Sequence, residues 1–280
     1  MRRTINFSEE EFDRSLDLFE KQRWLRARRE EFKVLLSECK SADERLLIIE
    51  LLSETILIDI KRYFSLFEEL RAYFEESLGY SAFDSIFVSS NSADRVSSSH
   101  EALYQMRNAG WRSEAPASNF LVEFAGAVKK LKVKKHLVLV DDFIGSGKTI
   151  LKALNWFDKE FEAKDINPTV TVLSISGCRE GIERIQAAGR TCFCAVTVPK
   201  GISDRWAEPE LTEKKQIMET LEARLQSRSA EKAFEKYRFG WGRQEAVFVR
   251  ERGRTPNNVF PIFWWSYVSG KSRQTVMERP

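Results

Sequence analysis

His136-Leu-Val-Leu-Val-Asp-Asp-Phe-Ile-Gly-Ser-Gly-Lys-Thr-Ile150 is the stretch that decides the fold. Four consecutive apolar residues, Leu137 to Val140, predict a strand buried on both faces, as in the interior of a parallel sheet. Two carboxylates, Asp141 and Asp142, stand at its carboxyl end. The small turn Gly145-Ser146-Gly147 follows. Lys148 and Thr149 then open an apolar-periodic run, Ile150 to Phe157, that predicts a helix. Strand, glycine turn and helix amino-terminus together make an anion site. The turn presents backbone N–H groups, and the helix dipole adds positive potential.

Gly147-Lys148-Thr149 invites comparison with a P-loop, Gly-x-x-x-x-Gly-Lys-[Ser/Thr]. The first glycine of that pattern would fall on Asp142, whose charge repels a triphosphate. The later strands, ending Ser174-Ile175-Ser176 and Thr197-Val198-Pro199, also lack the acidic residue a P-loop hydrolase needs. An ordinary strand–turn–helix corner with solvated acids is the plainest alternative. The full pattern is an apolar run, Asp-Asp, three residues, then Ser-Gly-x-Thr. It resembles the phosphoribosyl-pyrophosphate (PRPP) motif of type I phosphoribosyltransferases.

That resemblance implies an α/β fold, a parallel-sheet type I phosphoribosyltransferase-like domain. It assigns Asp141 and Asp142 to the ribose 2′- and 3′-hydroxyls, and Gly145, Ser146, Gly147, Lys148 and Thr149 to the 5′-phosphate. The chemistry agrees, since hydroxyls donate to carboxylates while phosphate accepts from N–H and O–H groups. Phe143 and Gly145 depart from the commonest pattern without removing a required contact. The resemblance also implies a Mg²⁺ ion bridging pyrophosphate and ribose hydroxyls, with no metal ligand directly from the protein. The loop after the first core strand, Ser85–Val88, would hold the pyrophosphate through Ser89, Ser90, Asn91 and Arg95. A Ser/Asn/Asp cluster is also simply an ordinary loop.

The alternation continues beyond the motif. A strand over Thr169–Ser174, a helix over Glu180–Ala188 and a strand over Thr191–Val198 predict a parallel sheet, with ligands at the strands' carboxyl ends. Phe120–Leu131 is read as a helix. Before this domain, residues 1–78 read as an all-helical module. Ser8-Glu9-Glu10-Glu11 and Ser41-Ala42-Asp43-Glu44 fit capping boxes, and the first helix is expected to run to about Ser37. The run from Leu46 to Ile60 is apolar nearly all round, which requires burial. Phe64, Phe67, Leu70 and Phe74 continue it, and Gly79 is the expected C-cap. The catalytic domain is expected over 79–280, with a helical insertion at about 205–237.

Composition excludes little else. The chain has 280 residues, 42% of them hydrophobic, and a formal charge of +3 from 45 basic and 42 acidic groups. Near balance does not mark a nucleic-acid binder. No apolar run approaches the roughly 18 residues of a membrane span. Without an apolar signal core at the start, a cytoplasmic location is expected. Four cysteines without a Cys-x-x-Cys pair read as buried thiols rather than a zinc site.

Two C-terminal segments remain. Tyr237-Arg238-Phe239-Gly240-Trp241-Gly242-Arg243 interleaves cations with aromatics, a pattern that suits single-stranded nucleic acid or an anionic substrate equally. Asn257 and Asn258 offer amide groups for a nucleobase edge, or a turn that bonds its own backbone. Pro256-Asn257-Asn258 and the apolar-Pro-apolar-Trp ending that follows resemble a divergent phosphoribosyltransferase branch found in bacterial conflict and antiphage systems. The likeness covers about residues 80–268. It implies an antiviral-defence effector working in nucleotide metabolism. Such an effector would be a glycosyltransferase on PRPP or a nucleotide, with a protein partner that includes, in some systems, a reverse transcriptase complex. The rival is a non-catalytic PRPP- or nucleotide-sensing scaffold that docks a partner through its helices.

Overall fold

The computed structural model describes residues 7–91, 97–109, 111, 115–225, 234–268 and 271–279. In chain order, α1 (Glu9–Lys21), α2 (Arg29–Glu38) and α3 (Ala42–Ser53) lead through strand β1 (Ile56–Ile58) to α4 (Ile60–Ala72). Then come β2 (Ser85–Ser89), α5 (Ser98–Asn108), β3 (Phe120–Leu121), α6 (Phe124–Lys130), β4 (His136–Ile144) and α7 (Lys148–Lys164). After these follow β5 (Thr169–Cys178), α8 (Arg179–Ala187), β6 (Thr191–Val198), α9 (Glu210–Glu222), β7 (Phe248–Arg250), β8 (Tyr267–Val268) and β9 (Lys271–Ser272). Two compact units emerge: Asp59–Val198, and Met1–Ile58 with Pro199–Pro280. This division differs from the expected one at residues 78/79. Helix α4 joins the sheet unit, and the C-terminal third joins the first three helices.

The Asp59–Val198 unit is a five-stranded sheet in the order β3-β2-β4-β5-β6, every neighbouring pair parallel. Strand β4 lies at its centre, and Leu137 to Val140 are fully buried, as a strand covered on both faces must be. Side chains alternate across the sheet. Leu137 and Leu139 face a core that includes Val128 of α6, Ile150 and Phe157 of α7, and Ile182 and Ile185 of α8. On the opposite face, Phe87 meets Phe74 and Trp111, and Phe193 stacks on Tyr73 at 4.1 Å.

Strand β3 replaces the expected start of a helix at Phe120. Phe120 pairs in register with Phe87, and their rings stack at 4.8 Å. That cross-strand contact outweighs the helical pattern, and the helix begins only at Phe124.

In the other unit the first helix stops sixteen residues early. Gln22 leaves the helical conformation, and its buried side-chain amide donates to the carbonyls of Ser53 and Thr55 at 3.0 and 2.9 Å. A 3-10 segment, Arg23–Arg28, then separates α1 from α2. The module is also not wholly helical. Ile56–Ile58 forms β1, pairing in parallel with Phe248–Arg250 of β7, and the Asp59 side chain caps α4 by accepting from the Arg62 N–H. Isoleucine, stiff at χ1, prefers that ladder to another helical turn.

Helix α3 buries Leu47, Ile48, Ile49, Leu51 and Leu52, the burial its all-round apolarity demands. The C-terminal third is fastened to these helices by charge as well. Arg224 pairs with Glu44 and donates to the Glu38 carbonyl, Arg273 pairs with Glu38 at 2.6 Å, and Lys214 pairs with Glu50 at 2.7 Å. Where an insertion at 205–237 was expected, α9 packs against α3, and residues 226–233 lie outside the described ones.

Candidate functional site

The sheet order sets the place of a ligand site. From β2 the chain moves to one side, to β3. From β4 it moves to the other, to β5. The carboxyl ends of β2 and β4 therefore flank a topological switch point, where open α/β sheets hold ligands. Ser89, Ser90 and Asn91 leave β2 there, and Asp141 to Thr149 leave β4 there. The structure thus brings both predicted loops together. Arg95 falls in residues 92–96, outside the described ones.

The two loops are joined by a hydrogen bond. The Ser90 hydroxyl donates to Asp141 Oδ2 at 2.7 Å, while Asp141 Oδ1 accepts from the N–H groups of Asp142 and Phe143 at 2.8 and 3.4 Å. The Ser90 N–H also donates to the Val140 carbonyl. Asn91 is held through its carbonyl, which accepts from the Ser89 hydroxyl at 2.8 Å and lies 2.7 Å from His100 Nε2.

Strand alternation sends the adjacent acids to opposite faces of the sheet. Asp141 is buried beside Ser174 of β5, with Cys194 of β6 next in the same row. Burial, and next the charge of Asp142, hold the Asp141 carboxyl well above the ordinary carboxylate range, against the pull of its donors. Asp142 is only partly buried, and its carbonyl accepts from the Ser176 hydroxyl at 2.9 Å.

The turn after β4 is shaped by a helix that the motif does not include. Gly147 adopts a left-handed conformation at φ +76° and caps α7 without a side-chain bond. Its neighbour across the fold is Gly181, in the first turn of α8. A Cβ on Gly181 would lie 1.9 Å from the Gly145 carbonyl oxygen, so only glycine permits this approach. The Arg184 guanidinium donates to the Ser146 carbonyl and, through its other nitrogen, to Glu180 at 2.7 Å.

Both turn carbonyls therefore point at α8. In a trans peptide C=O and N–H are antiparallel, so the N–H groups of Ser146 and Gly147 point the other way. Those two and the N–H groups of Lys148 and Thr149 donate to no other described residue. Four such donors at the start of a 17-residue helix form a cradle for an oxyanion. Sequence reading missed Gly181 and Arg184. A glycine and an arginine three apart at a helix start gave no signal, because their partners are backbone atoms some 35 residues away.

Asn257 and Asn258 belong to the other unit. The Asn258 amide donates to the Trp241 carbonyl at 2.8 Å, the Asn257 carbonyl accepts from the Trp241 N–H at 2.7 Å, and the Asn258 carbonyl accepts from the Ala246 N–H. Gly240, at φ +75°, packs directly on the Asn258 carbonyl. These bonds tie the Asn258 side chain and both backbones to the loop that carries Gly240 and Trp241. The four cysteines are buried thiols outside any disulfide. Among the described residues no helix is long and apolar enough to cross a membrane.

Among solved structures the chain resembles orotate phosphoribosyltransferase from Aeropyrum pernix, at 18% identity over 59% of this chain and 82% of that one, with a TM-score of 0.31. It also resembles the Mycobacterium tuberculosis H37Rv orotate phosphoribosyltransferase in complex with inorganic phosphate, at 13% identity over 49% and 71%, with a TM-score of 0.28. A comparison with curated protein sequences finds no match. The PRTase-CE family model matches residues 22–279, nearly the whole chain, and the protein belongs to that family of type I phosphoribosyltransferase-like proteins.

Proposed function

We propose that the site at the carboxyl end of β4 binds PRPP or a nucleotide through its ribose-5-phosphate and works at ribose C1. The observation that carries this reading is the set of four backbone N–H groups, Ser146 to Thr149, without partners among the described residues. The 5′-phosphate occupies that cradle, with the hydroxyls of Ser146 and Thr149 and the exposed Lys148 around it. Asp142, partly exposed, accepts from the ribose hydroxyls. Asp141, which the motif would also give to the ribose, acts mainly by fastening the loop after β2 through Ser90. Ser89, Ser90 and Asn91 then line the pyrophosphate side.

Asp142, the more exposed of the two acids, offers a hard oxygen that would meet the water shell of a Mg²⁺ brought in by the substrate; such an ion would neutralise charge on the leaving pyrophosphate. In the reaction a nitrogen lone pair forms the bond to C1 while the C1–O bond breaks, and pyrophosphate leaves with the electron pair. The sugar passes through an oxocarbenium-like state, as in glycoside hydrolysis. No side chain attacks, so the protein contributes positioning and exclusion of water. With water, or in reverse, the same site cleaves the glycosidic bond of a nucleotide. The likeness of Pro256–Trp265 to the conflict-system branch supports a role as a nucleotide-acting effector in antiphage defence, alongside a protein partner.

Calorimetric titration with PRPP and Mg²⁺, and with ATP and Mg²⁺, tests the reading. PRPP binds; binding of ATP without PRPP would instead mark a P-loop site. Asp142→Asn weakens PRPP by tenfold or more, the equivalent of about 1.4 kcal/mol for a charged hydrogen bond, while melting is unchanged. Equal affinity in the variant refutes the ribose assignment. Binding without release of pyrophosphate or base, across a screen of bases and nucleotides, assigns the protein to the sensing scaffold instead.

A further inference from the structure

A second charged surface lies at the opposite end of the same strand. Lys129, Lys130, Lys132, Lys134 and Lys135 fall within seven residues between the end of α6 and the start of β4. In a chain of net charge +3 this is a strong local excess. None of the five forms an ion pair with a described residue. Other cations of this unit are paired: Arg71, Lys164, Arg184 and Arg190 all have carboxylate partners.

Apolar groups stand exposed among the lysines. Phe83 is 57% exposed and Val133 82%. The Phe83 ring is held out rather than left loose. Its N–H donates to the Ser81 hydroxyl, and its carbonyl accepts from the Asn119 amide at 3.2 Å and from Lys134 Nζ at 2.5 Å. The same Lys134 ammonium lies 4.1 Å from the ring centroid. Beside it, the N–H groups of Lys135 and His136 both donate to the Asp84 carbonyl, and those of Val133 and Lys134 to the Lys130 carbonyl. The patch is therefore a fixed turn that presents one aromatic ring, backed by the Lys134 ammonium, among lysines that form no ion pair with a described residue.

We propose that this surface binds single-stranded nucleic acid. The lysines meet successive phosphates, and the Phe83 ring receives an unstacked base. A preorganised ring suits stacking because it loses little freedom on binding. A duplex is disfavoured, since its bases are already stacked and the turn offers no helix or ribbon to enter a groove. The surface is separate from the ribose-phosphate site. Eight residue steps of β4 at about 3.3 Å put roughly 26 Å between them. A strand bound here leaves the anion cradle open, so the proposal does not depend on the reading of that cradle.

The test is fluorescence anisotropy of a labelled single strand of about 12 nucleotides, RNA and DNA in turn, titrated with the full chain over a range of salt. With four to five lysines on phosphates, log affinity should fall against log salt with a slope of about −3. Replacing Lys129, Lys132 and Lys135 together by Gln lowers affinity more than tenfold and brings the slope to about −1. Phe83→Ser lowers affinity about tenfold and leaves the slope unchanged, because it removes stacking and no charge. Both variants keep native melting and native PRPP titration. Three results overturn the proposal: no binding at low salt, native affinity in the triple variant, or binding only to phosphatidylserine vesicles used as a competing polyanion.

Discussion

A methyl group at Gly181 would meet the Gly145 carbonyl at 1.9 Å, so Gly181→Ala must push α8 and the anion turn apart. The expected cost is about 1–3 kcal/mol of stability, as for overpacking elsewhere. PRPP affinity falls further than Asp142→Asn takes it, because the carbonyls of the turn lose their backing. Denaturant melts and titration of the same samples check both. Glu222 makes a different prediction. It is fully buried, and its two oxygens share the Phe239 N–H at 3.2 and 3.0 Å. Burial pushes its carboxyl up to about 8, against the pull of that N–H and of Arg238 and Arg243. The folded state therefore holds this proton more tightly than the unfolded chain, whose carboxyl titrates near 4.5. The resulting stabilisation is full below about pH 4.5 and is lost as pH rises through 8. In Glu222→Gln no proton is lost, so its melting temperature should gain on the native protein's between pH 5 and 8. Parallel pH–melting curves for the two would refute this.

At the scale of elements, legibility followed the length of the pattern. Leu137 to Val140 could be read as a buried strand because four apolar residues in a row have few other homes, and the glycine turn behind them fixed where α7 starts. Strand β3 could not be read, since two residues carry no period and Phe120-Leu121 also fits a helical face. Its identity comes from Phe87, more than thirty residues earlier. Strand β1 was hidden for the same reason, as Ile56–Ile58 continues an apolar run and only β7 reveals it as a ladder. Within the site, Ser90 and Asp141 were each legible as loop and motif residues, but not as partners of one another. Their bond depends on β2 and β4 being neighbours, a fact of topology rather than of spacing.

At the scale of the molecule, the sheet unit is one continuous segment and the other unit is not. Asp59–Val198 carries its own core on both faces of the sheet, so this fragment made alone should melt cooperatively with a mixed α/β circular dichroism spectrum. The chain lacking residues 1–58 should instead aggregate, because α9 loses the helices that cover Met218 and Leu221. A soluble, folded deletion product together with an unfolded fragment would reverse this assignment of the boundary. The ladder between Ile56–Ile58 and Phe248–Arg250 also has a consequence for synthesis. The first three helices leave the ribosome before any of their C-terminal partners exist. About 140 residues of the sheet unit must be made first, roughly ten to thirty seconds at ordinary elongation rates. Through that interval Leu47, Ile48, Leu51 and Leu52 have nothing of their own unit's C-terminal third to cover them. The nascent chain should therefore gain in yield from a ribosome-associated chaperone, and that yield should depend on translation speed between codons 59 and 248.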